Sequence, residues 1–275
     1  MRRAAKKILK NHGEPYTWKT LLKDILEVAL FFAIILASLK VLLGANMPVP
    51  IVGVVSCSMI HEDDCLGGVG YSMAGAFPFL LPAPCTYNYS ASWKEWIQRQ
   101  DPSVGDSELR FKSGFAAGDL IVVGSYRGEG LITSKGINVG DVILFNYKKD
   151  PKQPGNEPLL HRVVGEIEVR GGHVTGVSGA LDCFTRETFE DEFIKYVERC
   201  RSNWSLCPYR NVPEGDDYEF YLTKGDNNKI SDQCSALIVP PIIGENVMEK
   251  AYLRIPLAGW LKVFIEYVFS FVPKI

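Results

Sequence analysis

A hydroxyl, an imidazole and a carboxylate, each from a remote stretch of this chain, could form a nucleophilic site. Ser56 and Ser58 flank Cys57 just after the apolar run Ile51 to Val55, and His161 opens the stretch His161-Arg162-Val163-Val164. Asp226 and Asp232 follow in the polar segment that starts at Lys224-Gly225. A serine hydroxyl is a poor nucleophile near neutral pH unless a neighbouring base takes its proton. Imidazole, with an unperturbed pKa of about 6.5, is suited to that task. A carboxylate on the other ring nitrogen fixes the tautomer and stabilises the imidazolium as charge develops. Both aspartates could reach one site from a loop. Either could orient His161, and the other would hold the turn 225–228 through side-chain bonds to backbone N–H groups.

The remaining histidines read as bland. His61 is three residues from Ser58 and reads as a surface residue, His12 precedes the apolar segment, and His173 adjoins the Gly171-Gly172 turn. No zinc-type CxxC pair occurs, so neither a metal nor a cofactor is implied. The seven cysteines are odd in number, and at least one must lack an intrachain partner. Cys65 with Cys85, and two of Cys183, Cys200 and Cys207, are plausible local pairs, but spacing leaves connectivity open. Asn88-Tyr-Ser90 and Asn203-Trp-Ser205 fit the N-glycosylation pattern, which suits an outside location.

These groups must be positioned by the elements around them. Residues 1–24 form a basic tail with seven Lys or Arg, and residues 25–45 are an apolar run interrupted by Glu27 and Lys40. Twenty-one helical residues span roughly 30 Å, the thickness of a bilayer's hydrocarbon core. Both charges lie near its ends, where they cost least. After Lys40 no Lys or Arg occurs until Lys94, so the positive-inside rule predicts a cytoplasmic N-terminus and an extracytoplasmic remainder. A cleavable signal peptide fits less well, because its apolar core is usually about 7 to 15 residues. Pro48 and Pro50 end the helix, and Ile51 to Val55 reads as a strand that delivers the chain to Ser58.

Mainly β structure is expected beyond that point. Leu120 to Val123 and Val142 to Phe145 each follow a Gly-Asp turn, a third strand begins at His161, Gly171-Gly172 makes a hairpin, and Tyr218 to Thr223 resumes the pattern. Residues of about 61–115 and 180–215 read as insertions into a catalytic domain spanning 46–255, with a short helix at Trp93 to Gln100. The apolar stretch Ala74 to Pro84 reads as packing under the domain rather than touching lipid. Residues 256–275 read as a short apolar, membrane-associated helix. With thirty basic and thirty-two acidic residues, nothing in the overall charge suggests a nucleic-acid partner.

The ordered series Ser56-Cys57-Ser58-Met59, the two Gly-Asp strands, His161-Arg162-Val163-Val164 and Lys224-Gly225-Asp226-Asn227-Asn228 with Asp232 resembles signal peptidase I. The tail Ile242 to Trp260 is also similar to that family's pattern, so the likeness covers the anchor and nearly everything outside the two insertions. Bacterial members use a Ser-Lys dyad, whereas archaeal and endoplasmic-reticulum members have histidine at the lysine position. His161 groups this chain with the latter, and no lysine adjoins Arg162. The large insertions suggest an archaeal source. The resemblance implies Ser58 as nucleophile, His161 as base and Asp232 as its orienting carboxylate, with Asp226 the other candidate. The Ser58 backbone N–H would bind the oxyanion, and the Ser56 hydroxyl would assist it. Cys57 stands where the family often has glycine, and Ile60-His61 replaces a common downstream proline; both departures concern loop geometry.

The expectation is a single-pass serine endopeptidase that removes signal peptides from exported preproteins after small residues. Its partners would be preproteins, membrane lipid and, by proximity, the Sec translocon. Two other readings remain. Val54-Val55-Ser56-Cys57 resembles a lipoprotein processing box, which would make the chain a lipid-anchored surface binding protein, although two prolines and a strand separate it from the apolar core. A catalytically inactive relative that binds preproteins would carry the same fold.

Overall fold

The computed structural model describes residues 17–54, 56–59, 69–72, 83–86, 93–105, 110–112, 114–116, 118–146, 158–204, 207, 209, 211–235, 240–256 and 258. A long helix leads into a mainly antiparallel β-sheet.

Helix α1 runs Trp18–Leu43, beginning earlier than the apolar run because Thr17 caps it by accepting the Thr20 N–H. Capping rather than apolar composition sets where the helical hydrogen bonds start. The helix is long and apolar enough to cross a membrane, and Leu22, Phe31, Phe32 and Ile34 are all exposed on it. Lys23 lies 3.5 Å from Glu27, one turn along.

At the other end, Gly44 takes the left-handed conformation that closes the helix. A side chain there would meet the Gly130 backbone, so only glycine fits. Carbonyls at a helix C-terminus lack partners within the helix. Here the sheet domain supplies them: Ser125 N–H donates to Leu43 O at 2.8 Å and Ile132 N–H to Leu42 O at 3.1 Å. The helix is thereby bonded to the domain, not merely joined to it.

The large sheet contains β1 (Ile51–Gly53), β4 (Leu120–Gly124), β5 (Val142–Asn146), β6 (Pro158–Arg170), β7 (His173–Gly179), β8 (Tyr218–Lys224), β9 (Ile242–Ile243) and β10 (Val247–Ile255). Their order is β1-β4-β10-β5-β6-β8-β9, with β7 added alongside β6. Strands β2 (Val69–Ser72) and β3 (Ala83–Thr86) form a separate antiparallel pair. Strand β6 starts at Pro158 rather than at His161, since proline is tolerated at the first position of a strand. His161 therefore lies within a ladder, opposite Ile143 of β5. Strand β1 is shorter than expected, and Val55 lies outside the described residues.

Both Gly-Asp turns work alike. Asp119 accepts the Ala116 N–H and Asp141 accepts the Asn138 N–H, while each buried carboxylate meets a cation of β10. Arg254 lies 2.6 Å from Asp119, and Lys250 lies 2.5 Å from Asp141. Along β8, Phe220 and Leu222 enter the largest apolar cluster, whereas Tyr221 between them enters a second. That alternation leaves Thr223 on the Tyr221 side.

Much of that largest cluster comes from the expected insertions. Trp96 and Ile97 of α2 (Trp93–Gln100) enter it. So do Phe189, Phe193, Ile194 and Val197, from the helical stretch made of α3 (Arg186–Thr188), a π-helical turn (Phe189–Phe193) and α4 (Ile194–Ser202). Disulfides join Cys200 to Cys207 and Cys183 to Cys234. The second bridge corrects a purely local pairing for Cys183: it closes a separation of 51 residues because the fold brings the insertion beside the loop after β8. The Cys65–Cys85 pairing, His61, the stretch 74–82 and the expected C-terminal helix beyond residue 258 lie outside the described residues.

Candidate active site

Ser58 stands in the loop after β1, His161 on β6, and Asp232 in the turn region after β8. The three side chains converge. Ser58 Oγ lies 2.9 Å from His161 Nε2, and Asp232 Oδ2 lies 2.6 Å from His161 Nδ1. An ionised carboxylate only accepts hydrogen bonds, so Nδ1 carries the proton and Nε2 is left to accept from the Ser58 hydroxyl. The Ser58 oxygen in turn accepts from Ser56 Oγ at 3.1 Å.

Burial fixes this series. His161 and Asp232 are buried, while Ser58 is half-buried. Asp232 receives the Thr223 hydroxyl at 2.8 Å and the Asn228 amide at 3.4 Å, and its backbone N–H donates to Thr223 O at 2.8 Å. Its orientation is thus set by β8 as well as by its own turn.

Asp226 does something else. It takes Arg162 in a fork, Nε to Oδ1 and Nη2 to Oδ2, both at 2.8 Å. Both residues are buried, and the same guanidinium donates to the carbonyls of Gly140 and Phe111. Arginine matches a carboxylate bidentately. The pair clamps β6, the turn at 140 and the 110–112 segment around the site, and of the two aspartates only Asp232 contacts His161.

The Ser58 loop rests on the turn at 225–228. Asn227 N–H donates to Ser58 O at 2.8 Å, and Asn227 Nδ2 donates to Cys57 O at 3.2 Å. A Cβ on Gly225 would lie 2.7 Å from Ser58 O, so this position admits no side chain. Phe115 N–H holds the far end of the loop through Met59 O. Among the described residues, no acceptor takes the Ser58 backbone N–H. Cys57 is disulfide-bonded, so its sulfur is not free for the thioether of a lipoprotein.

Sequence reasoning gave no role to Thr223, Asn227 or Lys224. Lys224 does not adjoin Arg162 in sequence, but it faces it across the β6–β8 ladder. Burial pushes its ammonium down to about 8. The ammonium donates to the carbonyls of Gly225 and Asp226 and lies 5.1 Å from the Trp96 ring centroid. The available signal was a lysine ending an otherwise strand-like, largely apolar run. Among the described residues, no group of three or more His, Cys, Asp or Glu is arranged to hold a metal ion. No family model, curated protein or solved structure matches this chain.

Proposed function

We propose that this chain is a membrane-anchored serine endopeptidase that removes signal peptides from exported preproteins after small residues, by the Ser-His-Asp chemistry its sequence shares with signal peptidase I. The observation that carries this reading is the hydrogen-bonded series from Ser58 through His161 to Asp232. Ser58 attacks the scissile carbonyl while His161 takes its proton and then returns it to the leaving amine. Asp232 stabilises the imidazolium. The Ser58 N–H and the Ser56 hydroxyl receive the oxyanion, and water releases the acyl group from Ser58 by the same proton route.

Placement supports the choice of substrate. Ser58 follows β1 closely, and helix α1 is bonded to the sheet domain, so the nucleophile would sit at the membrane surface where a signal peptide's cleavage region emerges. Leu131 and Ile132, beside the end of α1, are 78% and 65% exposed, as suits contact with lipid. Among the described residues β1 pairs only with β4, so its other edge can take an extended peptide by strand addition. The N-terminal tail would be cytoplasmic and the β domain extracytoplasmic.

The test is cleavage of a preprotein in detergent or liposomes by the intact chain and by Ser58→Ala. Cleavage at the signal-peptide junction by the first and none by the second is expected. Cleavage that survives the substitution ends the assignment.

A further inference from the structure

The Cys183–Cys234 bridge lands two residues beyond Asp232 in the chain. The residue before Cys183 reaches the same segment: Asp182 Oδ2 accepts the Ser231 N–H at 2.8 Å. Ser231 is buried, and a buried N–H without an acceptor is costly. Asp232 is thereby gripped from the insertion on both sides, at the residue before it and at the second residue after it.

Both grips come from one turn. Phe184 N–H donates to Leu181 O at 3.1 Å, which leaves Asp182 and Cys183 at the tip. Leu181 and Phe184 pack against the largest apolar cluster, so the turn stands on the core. Asp182 has φ 56°, in the left-handed region that side chains seldom occupy. Glycine would relieve that backbone but could not accept the Ser231 N–H. On its other side the segment hangs from β8, through Asp232 N–H to Thr223 O at 2.8 Å and Thr223 N–H to Gln233 Oε1 at 3.0 Å. It is also tied within itself, since Cys234 N–H donates to Ser231 Oγ at 3.3 Å and Ser235 Oγ to Asp232 O at 2.9 Å. A stretch this short and this bonded moves as a body, so releasing either end turns the carboxyl away from His161.

We infer that Asp182 and Cys183 are positioning residues, which hold the Ser231 to Cys234 segment so that Asp232 stays within hydrogen-bonding reach of His161 Nδ1. The 180–215 insertion thereby takes a part in the chemistry. The kinetic readout of this inference rests on the proteolysis proposed above.

Preprotein cleavage and the far-downfield NMR signal of the His161 Nδ1 proton, assigned by its loss in His161→Ala, test it on the full chain in detergent. The variants are Cys183→Ser combined with Cys234→Ser, Asp182→Gly and Asp182→Asn. Glycine keeps the backbone of the turn and removes the acceptor, whereas asparagine tolerates the left-handed region and restores an acceptor. The bridge variant and Asp182→Gly should each lower kcat about tenfold to a hundredfold at unchanged KM, because a misplacement of about 1 Å costs on that order. In both, the proton signal should shift or broaden. Asp182→Asn should keep the signal and a kcat within about threefold of wild type. If the bridge variant does not fold, the two Asp182 variants decide. Wild-type kcat or an unmoved proton signal in either of the first two variants, a rise in KM without a fall in kcat, or an Asp182→Asn loss equal to that of glycine would overturn the inference. Should the wild type cleave no preprotein, proteolysis fails by itself and the proton signal decides alone: altered by glycine and kept by asparagine upholds the positioning role, and any other pattern ends it.

Discussion

Among the carboxylates inside this domain, two groups differ in the completeness of their hydrogen bonding. Around Ser58, each aspartate is fully engaged: Asp232 by His161, Thr223 and Asn228, and Asp226 by the fork of Arg162. At the junction with α1, Glu245 and Glu249 each keep an oxygen with no partner. A preorganised polar site works because its dipoles are already in place when charge develops. Hydrogen bonding is therefore complete in the cluster around Ser58 and incomplete at the two glutamates.

The largest expected effects break the first cluster. Ser58→Ala and His161→Ala should each lower kcat on preprotein by on the order of 10⁶-fold, because the members of such a series act as a unit. The unfolding temperature should barely move for Ser58→Ala, which removes only one oxygen from a half-buried side chain. Loss of activity accompanied by loss of folding would leave the cluster structural rather than reactive.

The two aspartates sharpen the comparison further. Asp232→Asn should reduce kcat about 10⁴-fold while the protein stays folded, since the amide can present a donor to His161 Nδ1 and favour the wrong tautomer. Asp226→Asn should act on stability instead. It strands a fully buried guanidinium, a loss of about 3 to 5 kcal/mol readable by denaturant unfolding. If the two variants behave alike, the division of labour between them is wrong.

That division was only half legible in the sequence. Ser58, His161 and both aspartates stood out by residue type and order, but six residues of loop cannot say which carboxylate turns toward the ring. The choice is made by Thr223 and Arg162, whose relation to the aspartates exists only once β6 and β8 pair. The strands around the Gly-Asp turns were readable because glycine at positive φ and a capping aspartate leave a local mark. The contribution of the 180–215 segment to the core was not, since its apolar residues are spread among charges, and the Cys183–Cys234 bridge depends on the same long-range packing. Glu245 and Glu249 gave no signal, because exposed and orphaned glutamates look identical in a sequence.

Lys224 probes the complete cluster more gently. Its folded pKa of about 8 lies below the ordinary lysine value of 10.5, so between those values the unfolded chain holds a proton that the folded chain has lost. Stability should then rise with pH across that window, by on the order of 3 kcal/mol in total, with the charged ammonium's burial cost fully present below pH 8. Lys224→Met should remove this rise. A wild-type stability that is flat from pH 8 to 10.5 would mean the carbonyls of Gly225 and Asp226 compensate the buried charge completely.

The smallest effect belongs to Glu166, which lines a cavity of about 560 Å³ with Asp101, Asp141 and Lys250. Burial, and then the nearby Glu219, Glu168 and Asp141, push its carboxyl up to about 7, with Arg170 opposing them. A folded pKa above the unfolded one gives a contribution that is whole below about 4.5 and is lost as pH rises through 7. Glu166→Gln should therefore match the wild type in thermal unfolding at pH 4 and exceed it slightly at pH 8, the gain being limited because this carboxyl is partly open to solvent. Its neighbour Asp141 is ion-paired to Lys250 and should show no such gain when neutralised, only loss. Parallel curves for wild type and Glu166→Gln at both pH values would mean that burial costs this carboxyl nothing.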